Sequence, residues 1–206
     1  MTEPVRDLLT FTDTAIELCL LLTARQPYLI QCLCSRIYDA AMISGERIIT
    51  FDTAVNASRE FLKDNEHFAT LWDFAEFDRR RLVLFLLAQK MLSIRQGLTI
   101  QSFKMFLEGG DPVAISFDGI RNELEGLDIS VRDDVLEGDL EELRELELID
   151  AYKHGESLVY RLAVPMMGLW MESQREFTTI VPRAIWEYAV ADFDGIEFDE
   201  LLEEKE

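Results

Sequence analysis

"LIDAYKHGESLVYRLAV", Leu148–Val164, is the stretch on which the fold turns. Its two halves, "LIDAY" (148–152) and "LVYRLAV" (158–164), are rich in strand formers. "KHGE" between them has the polar, glycine-bearing character of a hairpin turn. The residues before it read as helices. Ser130 precedes a segment of about 132–147 in which Leu136, Leu140, Leu143 and Leu146 form a helical stripe. Ser116 opens a helix through about Glu125, and Thr99 caps a short one ending at Gly109-Gly110. Asp78 caps "RRRLVLFLLAQKML". Helices followed by a small β-hairpin are the order of a winged helix.

Working outward, the first 75 residues contain four short helices with tight connections, the mark of a compact helical bundle. Asp13 is the expected N-cap of the first, whose apolar face is Ala15, Ile16, Cys19, Leu20 and Leu22. Pro27 suits the first turn of the second, where its missing N–H costs nothing. Ile30, Leu33, Ile37 and Ala41 then form a stripe that ends near Gly45. Ile48-Ile49 is a short extended link, Thr50 caps a helix to about Leu62, and a fourth spans about 66–75. Beyond the hairpin, Pro165 opens a helix bearing Trp170, and Pro182 opens a last one bearing Ile185, Trp186 and Ala189. The expected class is mainly α: a helical lid-like bundle (1–75), a winged-helix domain with a β-hairpin wing (76–176), and a C-terminal helix with an acidic tail (177–206).

The chain carries 40 acidic and 20 basic residues, a net charge of −20, which repels nucleic-acid phosphates and anionic lipid. A well-solvated surface is the plainer reading of that charge, and a basic protein partner also suits it. No apolar run reaches the roughly 18 residues of a membrane span. The start, Met1-Thr2-Glu3-Pro4, lacks the features of a signal peptide. Three cysteines cannot all pair, which fits a reducing cytoplasm.

Recognisable chemistry is missing. There is no Gly-x-x-x-x-Gly-Lys-Ser/Thr loop, and Gly109-Gly110 is followed by Asp-Pro. His67 and His154 are the only histidines, both read as solvated, so a Ser or Cys nucleophile has no evident base. Cys32 and Cys34 lie two apart on a helix, point to different sides, and read as packing residues. No cofactor or metal is expected. The segment 133–147, where a winged helix reads DNA, holds Asp133, Asp134, Glu137, Asp139, Glu141, Glu142, Glu145 and Glu147 against Arg144 alone. That is the wrong sign for a helix among phosphates. Arg79-Arg80-Arg81 is the best remaining basic contact. At a helix N-terminus it opposes the macrodipole, which points to acidic partners, within the chain or outside it.

Thr23, Pro27, Tyr28, Leu29, Gln31, Leu33 and Cys34 match a pattern that resembles the helical lid of STAND-type ATPases, relatives of AAA+ proteins. There "Thr-Gly-Gly-x-Pro-Tyr-Leu" follows the nucleotide-binding core. "RIITFDTAVNASREFL" and "FATLWDFAEFDRRRLVLFLL" resemble the later lid helices and the start of a winged helix. Tyr160, Leu162, Val164, Pro165 and Trp170 resemble its ending, and the likeness spans about residues 3–175. It implies that Pro27 stands where the family's proline lies against adenine. It also implies that Arg25 either crowds that site or reaches a phosphate. The glycine pair is replaced by Ala24 and Arg25, so "ARQP" reads first as a helix–helix turn and second as a vestigial nucleotide contact. The expected function is a non-enzymatic regulatory module that docks on an NTPase core, in cis or in trans, or on a protein partner. It would be monomeric or weakly dimeric. The alternative is a winged-helix nucleic-acid-binding or transcription-related protein.

Overall fold

A computed structural model describes residues 9–63, 66–93, 114–174 and 177–194. Among them are nine helices and five short strands, so the chain is mainly helical. None of these helices is long and apolar enough to cross a membrane. The expected Thr99 helix and the acidic tail beyond Asp194 lie outside the described residues.

Strand β1 (Thr10–Phe11) pairs in parallel with β2 (Ile48–Ile49), tying the start of the chain to the link after the second helix. Helix α1 (Asp13–Leu22) is capped by Thr12, whose hydroxyl accepts from the Ala15 amide at 3.3 Å. Asp13 is therefore not the cap; it sits in the first turn, where a carboxylate complements the dipole. Helix α1 buries Ala15, Leu18, Cys19 and Leu22, while Ile16 and Leu20 stay half-buried. With seven apolar residues in "DTAIELCLLL", periodicity alone does not select the core face. Helix α2 (Pro27–Ser44) starts on Pro27 and ends at Gly45, whose φ of 74° is the left-handed conformation glycine adopts without penalty. Leu29, Leu33, Ile37 and Ala41 form its buried stripe. Thr50 caps α3 (Phe51–Lys63) by accepting from the Thr53 amide at 3.3 Å. Helix α4 (Glu66–Phe74) follows and buries Phe68 and Trp72.

Helix α5 (Asp78–Ser93) organises the rest, because Leu82 to Ala88 are buried without exception. A helix apolar on every side has to be surrounded. Strand β3 (Ile115–Ser116), helix α6 (Phe117–Glu125) and helix α7 (Asp133–Glu145) come next. The hairpin β4 (Ile149–His154) and β5 (Ser157–Leu162) follows, then helices α8 (Pro165–Gln174) and α9 (Phe177–Asp194). The antiparallel sheet runs β3-β5-β4, and α5 contacts α6, α7, α8, α9 and β5. The hairpin turn is only Gly155-Glu156; Lys153 and His154 belong to β4. Gly155 takes φ of 62°, as the first residue of a type II′ turn does. One continuous hydrophobic cluster extends from Leu9 to Tyr188. Within it Trp72 of α4 meets Trp170 of α8 edge-on, with centroids 6.1 Å apart.

The closing segment departs from its sequence reading at its start. Pro182 does not open α9; it lies inside a helix that starts at Phe177. The helix also buries Ile180, Ala184 and Tyr188 against α5, with Phe177 stacked on Phe85 at 4.6 Å, and leaves Ile185 and Trp186 exposed. Starting five residues earlier gives the helix residues whose buried stripe runs 180, 184, 188. Met166, Met167 and Met171 are likewise core residues.

Tyr188 is 1% exposed, and its hydroxyl has no hydrogen-bond partner among the described residues. Burial, with the nearby Asp139 charge, holds its phenol protonated. An unsatisfied buried hydroxyl costs about 1–3 kcal/mol. Tyr188→Phe is therefore expected to raise the urea-unfolding free energy by about 1 kcal/mol; a loss of that size would mean that the hydroxyl has a partner.

Candidate functional site

Helix α1 ends in a tight turn. The Arg25 amide donates to the Leu20 carbonyl and the Ala24 amide to the Leu21 carbonyl, both at 3.0 Å, the paired bonds of a Schellman motif. The Thr23 hydroxyl closes on the Cys19 carbonyl at 2.7 Å. Ala24 and Arg25 both have positive φ, 49° and 60°. Each is left-handed without being glycine, which costs roughly 1–2 kcal/mol per residue.

This turn forms one edge of a cleft of about 440 Å³. Glu17, Leu20, Leu21 and Ala24, spaced along one face of α1 and its turn, make the first wall. Leu87 and Met91 of α5 form the floor, and Leu162, Ala163 and Pro165 close the far side. Arg25, Asp150 and Arg161 complete the lining, with Arg161 paired to Asp150 across the hairpin at 3.3 Å. The half-buried Leu20 and Leu21 thus face the cleft. Of the two residues singled out in the sequence, Arg25 lines the cleft and Pro27 does not; Pro27 is exposed at the start of α2. Of the α1 wall, only Leu20 stood on the apolar face expected from the sequence. Asp150 and Arg161 become neighbours only once the hairpin register is known.

The basic cluster is consumed internally. Arg79 Nε lies 3.0 and 2.9 Å from the two Asp139 carboxylate oxygens, and Arg80 Nε 3.0 Å from one of them. Arg81 pairs with Asp78 at 2.9 Å. On α7, Asp133, Asp134, Glu137, Glu141 and Glu145 are exposed. The nearby arginines answer them: Arg121 to Asp133 at 2.9 Å, Arg132 to Asp134 at 2.8 Å, and Arg144 to Glu141.

Cysteine chemistry is not prominent. All three thiols are free, and burial, with a smaller push from Cys34, raises Cys19 to about 12. Cys34 is also raised by burial. No cluster of metal ligands occurs among the described residues. His67 stacks edge-on with Tyr28 at 5.6 Å rather than standing in solvent, and His154 is exposed at the end of β4. No protein-family model, curated protein or solved structure matches the chain.

Ala24→Gly relieves the left-handed strain but loosens the unfolded chain, so the net gain is expected at about 0.5–1 kcal/mol. Equilibrium urea unfolding measures it; destabilisation would show that the Ala24 methyl makes contacts worth more than the strain.

Proposed function

We propose that this chain is a non-catalytic regulatory and protein-interaction module, a helical lid-like bundle followed by a winged helix. It docks on an NTPase core, in cis or in trans, or on another protein partner. Support for the winged-helix reading comes from the order of elements: α5, β3, α6, α7, then the β4–β5 hairpin, with the first strand paired to the last. In that reading α7 takes the recognition position. The observation that carries the functional choice is its charge. Five acids of α7 face solvent and the arginines around them are already paired, which suits a basic protein surface and repels phosphate. The sequence also lacks a phosphate loop, so the chain is read as needing an outside core for any nucleotide hydrolysis. The rival reading, a nucleic-acid-binding winged helix, draws on the same element order and requires a basic face.

The test is an electrophoretic shift with duplex DNA at low micromolar protein, run with ATP and GTP turnover on the purified chain. No shift and no turnover are expected. A shift that weakens steeply with salt would favour the nucleic-acid reading. Hydrolysis surviving removal of contaminating ATPases would overturn the non-catalytic one.

A further inference from the structure

The cleft beside the α1–α2 turn has the build of a small-molecule site. Its volume of about 440 Å³ falls within the range of ligand pockets. Its walls are mostly apolar, and they come from three separate parts of the chain: α1, α5 and the segment from β5 into α8. Helix α1 already buries one face in the core, so Leu20 and Leu21 are a second apolar face left half-covered at the cleft. Such a surface gains from being covered.

The rim says what kind of molecule would cover it. Arg161 is engaged by Asp150, but the guanidinium of Arg25 makes no hydrogen bond or ion pair among the described residues. Arg25 is also held at a positive φ directly after another left-handed residue. Strained backbone of this kind gathers at ligand-binding positions. Glu17 and Asp150 balance the two arginines of the lining, so the rim has no net charge with which to hold a polyanion. A single negative charge can take Arg25 in a forked pair while its apolar body lies between Leu21, Met91 and Ala163.

We propose that this cleft binds a small amphipathic monocarboxylate, with the carboxylate on Arg25 and an acyl or aromatic body against the apolar walls. The site is independent of the docking surface on α7.

Decanoate and 2-naphthoate, titrated calorimetrically into the full chain, are the probes. Saturable one-to-one binding of at least one is expected. Arg25→Gln, a change at an exposed side chain, should weaken it about tenfold or more, and uncharged decanol should bind weaker than decanoate by a similar factor. Ala163→Trp, which fills the cleft, should abolish binding; Arg25→Gln keeps the test decisive if that variant does not fold. ATP should not compete. Absence of saturable binding by both acids, equal affinity in Arg25→Gln, or displacement by ATP would overturn the assignment. None of these results bears on whether the chain binds DNA or a protein.

Discussion

Asp139 sits on α7 with 1% of its side chain exposed, and two arginines from the start of α5 hold its carboxylate. Much of the structure depends on this contact. A buried carboxylate is tolerable only when its oxygens are answered, and removing a partner leaves a charge stranded at a cost of about 3–5 kcal/mol. The guanidinium groups are themselves largely covered, Arg79 20% and Arg80 11% exposed. Glu187 of α9 adds its own restraint at the same place, accepting from the Arg79 amide at 2.8 Å. That amide is one of those a helix leaves without an internal acceptor, and a carboxylate there complements the dipole that the arginines oppose. Helices α5, α7 and α9 are thereby fixed to one another at a single point. The same contact removes the densest basic cluster from the surface and leaves α7 outwardly acidic.

Apolar surface explains the other half of the architecture. The buried run Leu82–Ala88 makes α5 an axis, with α6, α7, α8, α9 and β5 around it. Helix α1 has more apolar surface than one face can bury, and its excess forms a wall of the cleft. The left-handed pair Ala24-Arg25 then turns the chain sharply enough to start α2 at Pro27. Backbone bonds donated by the Ala24, Arg25 and Gln26 amides, with the Thr23 hydroxyl, hold that turn against its strain.

What was legible in the sequence was local. Pro27, Gly45, Thr50, Ser116 and Pro165 act through their own dihedrals or a hydroxyl reaching three residues on, and each marks a helix end where expected. The hairpin was legible because strand formers flank a glycine-bearing turn. What failed needed distant information. The core face of α1 is chosen by what packs on it, since apolar residues surround the helix. The buried stripe of α9 depends on a start at Phe177, which the strong local signal of Pro182 obscured. The acidic partners of the arginine triplet were foreseen from the helix dipole. Their identity was not, because Asp139 lies 60 residues from Arg79. Of the cleft, Arg25 was marked by its motif, whereas its neighbours gather only when three segments meet.

The claim that Asp139 and the two arginines act as one buried unit is open to a direct measurement. Double-mutant cycles in urea would combine Asp139→Ala with Arg79→Ala and with Arg80→Ala. Strong non-additivity is predicted, with a coupling of about 1.5 kcal/mol or more in each cycle, because losing either side strands the other. Additivity within about 0.5 kcal/mol would contradict the account, since residues that do not share a network behave that way.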